Sequence, residues 1–149
     1  MSSKTTTNVI DMLGDWYAKA PPLPKRWCER LVSIIPILTL IFGIIGIILT
    51  IGGLGVFTTT SPLAVVGGPA AMSAYGTGFL MELIYLVGWV LFLAAYPGLK
   101  GRKLKGWKLL FWSEVVFLIG GLVSMAILSA IIGALIAFYF LYQIRSYYK

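Results

Sequence analysis

Histidine is missing from this chain, and cysteine occurs once, at Cys28. Without histidine there is neither a Cys/His zinc cluster nor a Ser-His-Asp triad, and a single cysteine excludes an internal disulfide. Acidic residues are almost as scarce: Asp11, Asp15, Glu29, Glu82 and Glu114 are the full set. No nucleophile stands beside a base in a recognisable pattern, so the chain is expected not to be an enzyme and to need no cofactor or metal. A cleavable leader is not in view either. The opening residues are polar, and Asp11 and Asp15 precede any long apolar run.

What remains is apolar. Of 149 residues 59% are hydrophobic and 11% charged, with a mean hydropathy of +0.93, outside the range of a soluble domain. Crossing roughly 30 Å of hydrocarbon takes about 20 apolar residues. Such runs lie at about 31–51 and 78–96. A last stretch of 38 apolar positions, 107–144, would make one helix of about 57 Å, nearly twice the need. It is expected to turn back near Ser124 to Ser129, where small residues gather, giving spans of about 107–125 and 128–146. The reading is an all-α membrane protein of one transmembrane domain (31–149), preceded by a cytoplasmic segment (1–30).

The basic residues give the orientation. Lys4, Lys19, Lys25, Arg26 and Arg30 precede the first span. Lys100, Arg102, Lys103, Lys105 and Lys108 lie between the second and third, and Arg145 and Lys149 follow the fourth. Four crossings put all 12 on one face, which the positive-inside rule assigns to the cytoplasm. Both termini are then inside, in a multi-pass protein of the cell membrane. Trp27, Trp107, Trp112, Tyr142, Tyr147 and Tyr148 are expected to form a belt at that boundary. The net charge of +7 sits in juxtamembrane loops, which argues against nucleic acid as a partner. Lys100, Arg102, Lys103, Lys105 and Lys108 are instead candidate contacts for anionic lipid.

Before the first span, TNVIDMLGDWYAKA places Val9, Met12, Leu13, Trp16 and Tyr17 on one side of a helix and Asn8, Asp11 and Asp15 on the other. This predicts a short amphipathic helix in the membrane interface, with the stiff PPLP that follows as a spacer. Each span carries a stripe with steps of three and four. Pro36, Thr39, Gly43, Gly46, Thr50 and Gly53 form a small-residue row on the first, and Ser129, Gly133 and Ala137 another on the fourth. The second carries the bulky row Tyr75, Gly78, Glu82, Tyr85, Trp89, Phe92 and Tyr96; the third carries Leu110, Glu114, Phe117, Gly121 and Ser124. Small rows receive bulky ones, so an antiparallel four-helix bundle is expected. The uncharged stretch 52–77 is expected to be an outer connection that folds back on the bundle or meets a partner, with a helix starting at Gly67, Gly68 and Pro69.

Two acids fall inside spans. A charged Glu at mid-membrane costs about 2.5 to 3.5 kcal/mol, so Glu82 and Glu114 are expected to face the interior as neutral acids that donate hydrogen bonds. From span midpoints, Glu82 lies about 7 Å outward and Glu114 about 3 Å inward at 1.5 Å per residue, too far apart to pair. Tyr85 is a candidate hydrogen-bond partner and site residue, with Ser113 and Thr39 as further partners. A functional alternative is a proton or cation relay centred on Glu114.

The segment AYPGLKGRKLKGWKLLFWSE and the ending FYFLYQIRSYYK resemble small bacterial membrane proteins of about this length, some of which carry a chromate-transporter label. GGPAA at 67–71 is similar to part of the chromate transporters' FGGP-type motif, with Val66 where that motif has an aromatic. The resemblance implies a membrane location and no particular activity or binding residue. Two functions follow: a structural, accessory or assembly subunit that contacts other subunits or copies of itself, or a minimal transporter acting as a homo-oligomer through Glu114 and Glu82.

Overall fold

The computed structural model describes residues 2–149, with side chains from residue 9 onward; the side chain of Lys4 falls outside the described residues. Among them there are helices and no strand: α1 (Ser2–Tyr17), α2 (Lys25–Val66), α3 (Gly68–Lys100), α4 (Leu104–Val123) and α5 (Ile127–Ile144), closed by a 3-10 turn at Arg145–Tyr147. By length and composition α2, α3, α4 and the α5 segment can each cross a membrane.

The helices are longer than the spans expected for two of them. At 1.5 Å per residue, α2 with 42 residues is about 63 Å long and α3 with 33 about 50 Å, against about 30 Å for the 20 residues of α4. The stretch 52–77 is therefore not a folded-back loop. It is helical except for a turn at Gly67, whose N–H caps α2 on the Leu63 carbonyl at 2.9 Å. Gly68 takes φ +81, which a glycine tolerates, and Pro69 follows in the first turn of α3. The Thr-rich run carries hydroxyls that could have faced water. Here they bond back to their own helix: Thr58 to the Gly55 carbonyl (2.8 Å), Thr60 to Val56 (2.8 Å) and Ser61 to Thr58 (3.0 Å).

The turn between α4 and α5 comes at 124–126, within the predicted corner 124–129, with Met125 at φ +61. The Ser124 and Ala126 N–H groups bond to the Gly120 and Gly121 carbonyls.

Small-residue rows set the register between neighbours. On α2, Pro36, Thr39, Gly43, Gly46 and Thr50 are all buried. Gly43 lies under Leu93 and Gly46 under Trp89, where an added Cβ would come within 2.2 Å of the indole. Gly53 faces Glu82 and Gly78 sits under Phe57, so numbers fall along α3 as they rise along α2. Between α3 and α4, Gly88 receives Phe117, and Gly98 and Gly106 bring the two backbones together. Pro36 has no N–H to give the Val32 carbonyl, yet α2 runs through it unbroken.

On α5 the packed face is one residue away from the predicted row. Ala134, Phe138, Leu141 and Ile144 are buried and Ala130 meets Gly121, while Ser129 is exposed and nothing lies within 4 Å of Gly133. The tightest packing gathers where α1, the α3–α4 turn and the C-terminus meet. Trp107 has no exposed surface, gives its indole N–H to the Leu141 carbonyl at 2.8 Å, stacks on Phe111 and lies 5.4 Å from the Arg145 guanidinium. Trp107 and Tyr148 are thus core residues and not members of an interfacial belt, whereas Trp27 is exposed.

The same end is closed by contacts that leave little sequence trace. Lys149 N–H bonds to the Arg102 carbonyl (3.0 Å) and Leu104 N–H to the Lys149 carbonyl (2.9 Å), tying the last residue to the α3–α4 turn. The PPLP spacer is latched to α5, with Tyr139 giving its hydroxyl to Pro21 and Leu23 N–H reaching Gln143. Helix α1 docks on α5 through Ile10 and Tyr17, with Tyr142 bonding the Ile10 carbonyl and Arg145 pairing with Asp11 at 2.9 Å. Its expected apolar face is split: Tyr17 is buried, but Val9, Met12 and Trp16 stay exposed.

Candidate functional site

Glu82 and Glu114 do occupy different places. The Glu82 carboxyl lies over Gly53 on α2, 2.7 Å from where a Cβ would stand, so the missing side chain at Gly53 is what makes room for it. Glu114 lines a cavity of about 410 Å³ between α3, α4 and α5, together with Tyr85, Trp89, Phe117, Ser129 and Gly133. Tyr85, one turn from Glu82, therefore shares its space with Glu114 and packs over Gly120. Neither acid forms an ion pair among the described residues.

Two of the proposed hydrogen-bond partners are already committed. The Ser113 hydroxyl bonds the Leu110 carbonyl at 2.7 Å and that of Thr39 the Ile35 carbonyl at 2.8 Å. Both are turn-internal bonds of their own helices, so the expected interhelical tethers to these groups do not form. On the α5 side the Glu114 cavity is walled by the buried Ala134, by Ala130 against Gly121, and by Ser129 and Gly133, which are exposed. A carboxyl there can give or accept a hydrogen bond from whatever enters between α3 and α5.

The five basic candidates also divide. All five are exposed, and Lys100 and Arg102 also line a groove of about 410 Å³ against the start of α2. The Lys100 ammonium is 5.9 Å from the Tyr96 ring, within cation–π range.

A larger cavity, about 820 Å³, opens at the end where α1 docks and includes Asp15, Arg145 and Tyr148 in its wall. The Tyr148 hydroxyl is buried without a partner, and its burial pushes it above the usual phenol range against the opposing charge of Arg102. Sequence reasoning had no signal for this cavity, because chain segments more than 100 residues apart form it. Cys28 is buried, its thiol 3.9 Å from the Leu23 carbonyl. Among the described residues no group of three Cys, Asp or Glu is placed to hold a metal ion.

No protein-family model matches the chain, and no curated protein or solved structure is significantly similar to it.

Proposed function

We propose that this is a structural or assembly subunit of the cell membrane, an antiparallel four-helix bundle with both termini in the cytoplasm, whose α2–α3 hairpin meets another membrane subunit or a second copy. The observation that carries the reading is the mismatch in helix length. Gly120, near the end of α4, meets Tyr85 and Ile84 on α3, so the part of α3 before about residue 81 runs past the α4–α5 corner. Those 13 residues, 68–80, amount to about 20 Å.

The projecting part is unfit for bare water. It holds no charged residue, its Thr58, Thr60 and Ser61 hydroxyls are spent on its own carbonyls, and Val56, Leu63, Val65, Val66 and Met72 are exposed. Internally it is well built. Phe57 and Tyr75 pack edge to face, the Tyr75 hydroxyl bonds the Phe57 carbonyl, and Gly78 lies beneath. A stiff apolar hairpin that outruns the rest of its bundle suits contact with an apolar surface. The open small-residue face of α5, beside Glu114, suits a second helix approaching within the membrane.

A photo-crosslinking side chain at Val66 in native membranes is expected to capture a discrete protein, identified by mass as a second copy or another subunit. The same probe at Ile45, mid-way along α2, is expected to capture lipid. Lipid alone at both positions would remove the assembly reading.

A further inference from the structure

We infer that the groove between the start of α2 and the end of α3 holds one anionic phospholipid, with its phosphate at Lys100 and Arg102. Its lining is mostly apolar: Val32, Pro36 and Ile37 on α2 and Tyr96 and Leu99 on α3, with Ser33 between them giving its hydroxyl to the Glu29 carbonyl at 3.0 Å. The register of α2 on α3, with Gly43 under Leu93 and Gly46 under Trp89, sets Lys100 level with about Pro36, so Ile37 and Tyr96 line the groove inward of the cations while Val32 stands level with or outward of them. A cationic mouth over an apolar floor beside two membrane-spanning helices matches an amphiphile, headgroup outward and first methylenes inward. Neither cation is neutralised by a protein carboxylate: among the described residues the one ion pair is Arg145 with Asp11.

The backbone of Arg102 supplies an independent argument. It takes φ +51, a left-handed conformation in which a glycine would rest without strain. The glycine that precedes it, Gly101, sits instead at φ −82. The turn is held there by the Arg102 N–H on the Leu99 carbonyl (3.1 Å), Lys103 N–H on Gly98 (2.8 Å) and Lys149 N–H on Arg102 itself (3.0 Å). A side chain held where glycine would fit better is a reason to look for a role of its head group. The clamp from the C-terminus fixes the place from which that head group reaches the groove.

The test counts phospholipid retained by the purified full chain in native mass spectrometry, after exchange against phosphatidylglycerol or phosphatidylcholine. The wild type is expected to keep one phosphatidylglycerol in preference to phosphatidylcholine. Lys100→Gln and Arg102→Gly are each expected to lower its retention about fivefold. Arg102→Gly should at the same time melt no lower than the wild type, which separates a lost ligand from a damaged fold. Ile37→Trp, which narrows the floor and leaves the charge intact, is expected to lose lipid as well. Lys105→Gln, outside the groove, is expected to keep it. Equal retention of the two lipids, a loss with Lys105→Gln as large as with Lys100→Gln, or full retention by Ile37→Trp would overturn the inference in favour of diffuse surface attraction. Displacement by inorganic phosphate alone would overturn it in favour of a free-anion site.

Discussion

Trp107→Ala is expected to cost about 3–5 kcal/mol of stability, read as a lower melting temperature in detergent. The indole has no exposed surface and touches three elements at once: Phe111 on its own helix, Tyr142 and the Leu141 carbonyl on α5, and the Arg145 guanidinium beyond. Arg145 in turn holds Asp11 on α1, so the cavity left behind would loosen the docking of the N-terminal helix as well. Trp107→Phe is the informative control. It keeps most of the volume and loses the 2.8 Å hydrogen bond, so the expected cost falls to about 1 kcal/mol. A cost for Trp107→Ala no larger than for Trp107→Phe would mean that the ring is not the keystone of this end.

Gly106→Ala is the second large effect, and it tests the α3–α4 contact. A Cβ at this position would stand 2.4 Å from the Gly98 carbonyl carbon and from the Leu99 nitrogen. These are backbone atoms, which no rotamer change can move aside, so the two helices must part. The expected cost is about 3 kcal/mol, at the upper end for overpacking. Gly133→Ala and Gly52→Ala are the counterparts. Nothing lies within 4 Å of either, and alanine is the better helix former, so both should be neutral or stabilising by up to about 1 kcal/mol. If all three substitutions behaved alike, the close approach of α3 and α4 would be wrong.

Much of this architecture is legible in the residues, for reasons that also explain the misreadings. The row from Pro36 to Thr50 on α2 is readable because helices in lipid approach closely only at small side chains, and that row is buried. The same logic applied to α5 selects Ser129 and Gly133, yet the helix packs through Ala130, Ala134 and Phe138. Both rows have the same spacing and lie one residue apart, so periodicity alone cannot choose between them.

Helix ends are less legible than helix faces. The last apolar stretch, about 57 Å as one helix, turns back at 124–126, where small residues gather. The end of α2 lies well beyond the apolar run 31–51, because Thr58 to Ser61 satisfy their hydroxyls locally and let the helix run on. Of the candidate site, the separation of Glu82 from Glu114 was foreseeable from depth along the spans. That Tyr85 lies with Glu114, and that only Lys100 and Arg102 of five basic residues line a groove, depends on rotation about helix axes and on a clamp made by backbone groups. Neither is written in side-chain identity.

The account rests on four crossings that leave the cationic turn and the α4–α5 corner on opposite sides of the membrane. In a Cys28→Ser background, intact cells treated with a membrane-impermeant maleimide test it directly. Met125→Cys, at the exposed corner, should be labelled at once, and Lys105→Cys, on the cationic turn, only after the membrane is permeabilised. Labelling of Lys105→Cys in intact cells, with Met125→Cys protected until permeabilisation, would contradict the orientation; labelling of both from outside would contradict the four crossings themselves.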